Sequence, residues 1–342
     1  MHRRDFLLNG SLGLAGALCI PQILAKSEII LGHNQKRYRI NTRWSQADVS
    51  RYPVNDCHEM VQDQQGRLLL LTNETKNNVL IYDKNGKILD AWGTEYPGAH
   101  GLTLGNENGT DVLFICDNKR HQVIKTTIDG RVLLVLDYPR ETGKYAKAEE
   151  YVPTETAIAP NGDIYVADGY GLDYIIQYDH QGRYIRHFGG RGDGPEHLLN
   201  AHGVCVDMRD KANPCLIVCS RQQNAFKCYD LAGKYLQTID LPGTWVCRPV
   251  IHGDYLYAAV LQTNRRQWVQ SGFVTILDRQ NKVVSNLAGS SPTYTDGRPD
   301  EMYQTIRAFA YPHDVCVDDE ENLYVAQWNS GKTYPYKLEP VV

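Results

Sequence analysis

Beyond its first 25 residues the chain has no apolar run long enough to cross a bilayer, no CxxC pair, and no cluster of basic residues interleaved with aromatics. The first absence excludes a further spanning helix, which needs about 20 consecutive apolar residues. The second argues against a structural cysteine–zinc site. The third, with a formal net charge of −4, argues against nucleic acid as a partner. Charge and apolar content are not extreme. With 342 residues, 42% of them hydrophobic, the chain can bury a large core and is too apolar to stay disordered. Length alone would allow two domains, but an internal repeat argues for one.

The first residues, Met1-His2-Arg3-Arg4-Asp5-Phe6-Leu7-Leu8, precede an apolar stretch from Leu12 to Leu24. Paired arginines before a mild Gly/Ala-rich run resemble a twin-arginine export signal. Residues 1–25 are therefore expected to engage the twin-arginine machinery and be cleaved after Ala25. That leaves a periplasmic or secreted domain of residues 26–342 with no membrane role, expected to be a monomer. Eight cysteines remain after Cys19 is removed with the signal. An even count in an exported chain leaves a disulfide reading open. Cys205 and Cys316, however, sit in Val-Cys-Val strand patterns where a thiol packs as a small hydrophobe.

One unit recurs along the chain: an apolar strand, a polar turn, an Ile/Leu-Tyr-Val strand, then a strand and turn containing Tyr-Asp-x-x-Gly. Copies run over 59–93, 101–137, 155–189, 203–241, 246–289 and 314–342. Alternation bounded by turn residues specifies antiparallel strands, and a four-stranded unit of about forty to fifty residues repeated six times is the mark of a propeller. The fold expected is all-β, a six-bladed β-propeller resembling NHL-repeat propellers. The last copy has room for three strands only. A spare strand near Tyr38–Thr42 is expected to complete it and close the ring, removing an exposed edge. Insertions at 140–151, 190–199 and 290–309 are expected to rim one face. The Gly189–Pro195 stretch joins two strands and opens no helix, so it reads as a connection and not a phosphate loop.

Aligned on the Ile/Leu-Tyr-Val strand, the residues at which each innermost strand begins are His58, His100, Thr154, His202, Cys247 or Arg248, and His313. Innermost strands line a propeller axis, so these residues crowd one end of its channel. His100, His202 and His313 fall in alternate blades, about 120° apart in a sixfold ring, and can hold one divalent ion while leaving a coordination position open. His58 offers a fourth ligand, a substrate contact or a proton carrier.

The stretches His100-Gly101-Leu102, Ala201-His202-Gly203 and Tyr311-Pro312-His313-Asp314 resemble the zinc-binding segments of the peptidyl-α-hydroxyglycine α-amidating lyases, over roughly the whole mature chain. The resemblance implies a zinc ion on His100, His202 and His313. It also implies Tyr170, in Asp168-Gly169-Tyr170, as the group that deprotonates a substrate hydroxyl. Arg221, in Ser220-Arg221-Gln222, would hold substrate charge, and a structural calcium would sit on Asp314 with the carbonyls of Leu102 and Met60. Departures are visible too. Leu71-Thr72-Asn73-Glu74 carries no counterpart of a family arginine, Tyr311 replaces a methionine, and His58 has no counterpart; Arg248 is a candidate to restore the missing positive charge.

The activity expected is a zinc-dependent lyase that cleaves a C–N or C–O bond in a small-molecule or peptide-derived hydroxylated substrate. The competing readings are a non-catalytic propeller that binds a protein or glycan, and a metal-assisted hydrolase.

Overall fold

The computed structural model describes residues 29–265 and 269–341; the expected export signal lies outside them. Six antiparallel sheets surround one axis, and each begins with its innermost strand: Cys57–Gln62, Ala99–Glu107, Glu155–Ile158, Ala201–Asp207, Thr244–His252 and Pro312–Val317, here blades 1 to 6. The repeated Tyr-Asp-x-x-Gly is the turn between the two outer strands of a blade. In blade 3, Asp179 Oδ1 accepts from the N–H groups of Gln181 and Arg183 while Gly182 takes φ 81°, a left-handed value that glycine adopts without strain. Blade 5 makes the same turn with Asn281 at φ 61°.

Burial falls from the axis outward. The second strand of blade 3, Ile164–Ala167, is wholly buried, whereas its outermost strand, Tyr184–Gly189, has no buried residue. Neighbouring blades pack through interdigitated aliphatics, as where Leu69, Leu71 and Ile81 of blade 1 meet Leu102, Leu113 and Ile124 of blade 2. The N-terminal strand Lys36–Asn41 pairs with Tyr336–Pro340, Ile40 opposite Leu338, and closes the ring as expected. A further strand, Ile30–His33, was not foreseen. It forms a hairpin with Lys36–Asn41, making blade 6 five-stranded, and His33 N–H donates to Ser285 Oγ of blade 5. Leu338 is fully buried at this seam, so its truncation to alanine costs about 2–5 kcal/mol of stability.

Every blade ends on an outer strand that runs back towards the start of the next inner strand, so all three insertions lie on the face where the inner strands begin. Among the described residues all eight cysteines are free, six of them buried, and no helix is long and apolar enough to cross a membrane.

Candidate metal centre

Backbone geometry explains how the inner-strand residues reach the axis. Registers between first and second strands shift in five blades, at Cys57/Glu59, Ala99/Gly101, Ala201/Val204, Val246/Pro249 and Pro312/Asp314. Each shift is a β-bulge, which turns a side chain out of the normal alternation. The residues inside these bulges are His58, His100, His202 with Gly203, Cys247 with Arg248, and His313. Blade 3 keeps an unbroken register. Its Thr154 stays in the wall, donating its hydroxyl to the carbonyl of Ala167 or Ala201. Bulged strands can come this close only beside small residues. A Cβ on Gly101 would strike the carbonyl oxygen of Thr154, and one on Gly203 would lie 2.5 Å from Arg248 Cα.

The four histidines meet. Ring centroids of His100, His202 and His313 lie 4.8 Å apart pairwise, and His58 lies 4.9 Å from His100 and from His313. The trio whose donor atoms come mutually within 4.8 Å is His58, His100 and His313. His58 thus stands in the place expected of His202, whose ring still lies 4.8 Å from those of His100 and His313 but whose donor atoms fall outside that trio. Nδ1 of His100 lies 2.9 Å from Thr154 O, and Nδ1 of His313 lies 3.0 Å from His58 O. Only a protonated Nδ1 can donate to a carbonyl, so in both rings Nε2 carries the lone pair. Nδ1 of His58 and of His202 is buried without a partner. Burial holds all four in the neutral form, His58 down to about 3 and the others well below their usual value. Neutral imidazoles with fixed tautomers and orphaned nitrogens fit a borderline-soft divalent ion such as zinc.

Tyr170 covers this cluster. Its hydroxyl lies 3.1 Å from His100 Nε2 and 3.0 Å from His202 Nε2, while the residue as a whole is 42% exposed. Because His100 offers a lone pair there, the phenol donates to His100 and accepts from His202 Nε2–H. Burial of the hydroxyl raises its pKa, and the nearby Arg221 guanidinium opposes the rise without cancelling it. Asp168 holds the Tyr170 loop by accepting from Val152 N–H (2.6 Å), Leu172 N–H (2.7 Å) and Tyr145 O–H (2.7 Å). Its role had no sequence signal apart from its place in Asp-Gly-Tyr.

Arg221, on a short 3-10 turn after the second strand of blade 4, is buried beside Tyr170. Its Nε donates to Val246 O (3.2 Å) and its Nη2 to Cys247 Sγ (3.0 Å); no carboxylate pairs with it among the described residues. Near Cys247 lie the half-buried rings of Trp245, Tyr311 and Trp328, an aromatic wall that sequence reasoning passed over.

One layer deeper, the groups expected to hold calcium do converge, but on Arg248. Its guanidinium donates to Asp314 (2.8 and 3.1 Å), to Leu102 O (2.9 Å) and to Met60 O (3.1 Å). A hard cation at that point does not fit, because the space holds a buried guanidinium. Arg248 therefore points inward, yet its charge is spent on acids and not on the face above. Glu59 and Glu155 lie 3.5 and 3.6 Å from it and were also passed over. Their signal was legible: each directly follows an inner-strand start, as Asp314 follows His313. Beyond this layer the channel opens on the far face as a funnel of about 450 Å³ lined by residues such as Thr103, Thr156, Val250 and Cys316.

A family model described as a 6-bladed beta-propeller matches residues 157–295. Residues of the chain are 34% identical over 108 positions to peptidyl-alpha-hydroxyglycine alpha-amidating lyase 1 of Drosophila melanogaster, covering 30% of this chain and 19% of that protein. Peptidylglycine alpha-amidating monooxygenase of Rattus norvegicus is 20% identical over 274 residues, covering 77% of this chain and 26% of that protein. The chain spans between about a fifth and a third of the length of these curated relatives. Among solved structures, a streptogramin B lyase superposes with TM-score 0.55 at 14% identity, over 84% of this chain and 94% of that one. A gluconolactonase from Xanthomonas campestris superposes with TM-score 0.57 at 13% identity, over 91% and 97%. These two likenesses speak for the fold.

Proposed function

We propose that this six-bladed β-propeller with homology to α-amidating lyases is a metal-dependent lyase of small hydroxylated substrates, of the peptidyl-α-hydroxyglycine kind. The observation that carries the reading is one constellation: four neutral histidines with rings in mutual contact, three of them with donor atoms within 4.8 Å of one another, a phenol over them, and a buried guanidinium with no carboxylate of its own. Three of the four histidines would hold the ion: His100 and His313 with either His202, as the family resemblance implies, or His58, whose donor atom lies within 4.8 Å of theirs. The fourth coordination position would stay open for the substrate hydroxyl. With zinc bound there, the site would gain Lewis acidity that lowers the pKa of a substrate hydroxyl and favours the phenolate of Tyr170.

The chain's own residues account for the rest. Arg221 binds and orients a substrate carboxylate, since a guanidinium fork matches that group. Tyr170, as phenolate, takes the hydroxyl proton; the oxygen's electron pair forms the carbonyl, the C–N bond breaks, and the nitrogen recovers the proton from Tyr170. The products are an amide and an aldehyde acid. The aromatic wall of Trp245, Tyr311 and Trp328 packs the apolar part of the substrate. Tyr170 must swing aside for substrate to enter, because it seals the cluster in the structure described here.

The test is metal analysis joined to product release. The purified domain should hold about one equivalent of zinc or a similar ion and release glyoxylate from a peptidyl-α-hydroxyglycine. A variant with His100, His202 and His313 all changed to alanine should fold and do neither. Single H58A and H202A variants then separate ligand from neighbour by zinc affinity. A domain that takes up no metal from excess zinc defeats the reading and redirects attention to a non-catalytic partner of the propeller face.

A further inference from the structure

We infer that Arg248 is an internal cation that replaces a bound divalent ion at the propeller axis, so that this ring closes without calcium. The residue following each inner-strand start forms a layer of its own: Glu59, Gly101, Glu155, Gly203, Arg248 and Asp314 in blades 1 to 6. Acids on three blades face the guanidinium of a fourth. The two glycines let the backbones close in around it, Gly203 against Arg248 Cα itself.

Each acid also ties one blade to the next. Asp314 Oδ2 accepts from Met60 N–H (2.9 Å), Glu59 Oε2 from Leu102 N–H (2.6 Å), and Glu155 Oε1 from Thr103 O–H (2.8 Å). These bonds run from blade 6 through blades 1 and 2 to blade 3, and Arg248 at their centre adds blade 5. Buried acids joined in this way need a positive charge among them, and carbonyl oxygens pointing into the same space need donors. The guanidinium supplies both. Without it, three carboxyl groups and the carbonyls of Met60 and Leu102 would surround an empty space, which is the oxygen-rich donor set that calcium takes.

The experiment is thermal unfolding of the domain with calcium alone as the probe, after chelation and dialysis, together with a direct calcium-binding titration. The native domain should bind no calcium, and its Tm should not move with millimolar calcium. Arg248→Ala should lower Tm by roughly 5–10 °C, the scale of breaking a buried ion pair in a domain this size. Millimolar calcium should restore several degrees of that loss, and a second change, Asp314→Asn, should abolish the rescue. Arg248→Lys keeps a cation and should stay indifferent to calcium. Calcium binding by the native domain that Asp314→Asn removes would overturn the inference, as would an Arg248→Ala variant with native Tm and no calcium response. Should Arg248→Ala fail to fold, the titration of the native domain and the Arg248→Lys variant still decide the question.

Discussion

Among the described residues two arginines are buried, on opposite terms. Arg248 has three carboxyl groups within 3.6 Å and two carbonyl oxygens as acceptors. Arg221, also at the axis but one layer nearer the insertion-bearing face, has a carbonyl and a thiol. A buried charge is costly unless it is paired. The fold neutralises the first within its own frame and leaves the second facing only dipoles. The difference assigns them separate work: Arg248 holds the blades together, and Arg221 is kept for an anion that arrives from outside.

The crossed pattern of their variants is the strongest way to break this contrast. Arg221→Ala should lower kcat/KM by about a thousandfold, the cost of losing one partner of a desolvated charge pair, and leave Tm within about 2 °C. Arg221→Lys should recover part of the activity but not all, because a lysine cannot present the fork. Arg248→Ala should show its effect first in Tm. Kinetics and melting curves measured side by side decide it; an Arg221→Ala domain that melts as early as Arg248→Ala would make both arginines structural.

Tyr170 sharpens the same contrast from the other side. Burial raises its pKa and only Arg221 opposes the rise, so its hydroxyl is a phenol in the metal-free state. Tyr170→Phe should reduce kcat by about a hundredfold, the usual scale for a lost general base, with zinc content unchanged. In Arg221→Ala the alkaline shift of the Tyr170 titration should be larger than in the native protein. A Tyr170→Phe enzyme with native kcat would leave the tyrosine as a cover alone.

How much of this was visible in the sequence follows from which features repeat. The blades were legible because Tyr-Asp-x-x-Gly turns recur, and the histidines because that repeat fixes their register. Each sits in a bulge that no residue pattern announces, so their position at the axis was readable while the cause was not. Asp314 and Arg248 were each read from the sequence, but their pairing, and the part of Glu59 and Glu155 in it, was missed for a local reason. Blade 5 carries two residues, Cys247 and Arg248, inside its bulge, which blurred the alignment at the one position that explains why Glu59, Glu155 and Asp314 can be buried together. The strand Ile30–His33 pairs only with its own hairpin partner and belongs to no repeat.

The two layers also answer pH in opposite directions. All four histidines have folded pKa values below the ordinary 6.5, His58 at about 3. The unfolded chain therefore takes up protons first, and the metal-free domain loses stability as pH falls from about 6.5 towards 3, by up to about 5 kcal/mol per pH unit for four sites. Glu59 and Glu155 are pushed up by burial, so their contribution is complete at low pH and is lost as pH rises above about 4.5. Denaturant melts between pH 6.5 and 4 on His58→Ala should show a slope shallower by about 1.4 kcal/mol per pH unit. An unchanged slope would mean that His58 is already charged in the folded protein.

The smallest effect concerns the support of Tyr170. Asp168 is raised to about 7, chiefly by burial, against the opposing hydrogen bonds from Leu172, Tyr145 and Val152. A raised carboxyl contributes most below its unfolded value of about 3.8 and progressively less as pH climbs to 7, so the ionised form is tolerated at a cost. Asp168→Asn keeps an acceptor for the loop and removes the charge. It should melt no earlier than the native domain at pH 8, lose the inflection near pH 7 in its stability profile, and retain activity within about threefold. Asp168→Ala removes every acceptor, leaving two backbone N–H groups and the Tyr145 hydroxyl unpaired, and should lower kcat about tenfold by loosening Tyr170. If asparagine proves as damaging as alanine, the charge of Asp168 and not its geometry is what the Tyr170 loop depends on.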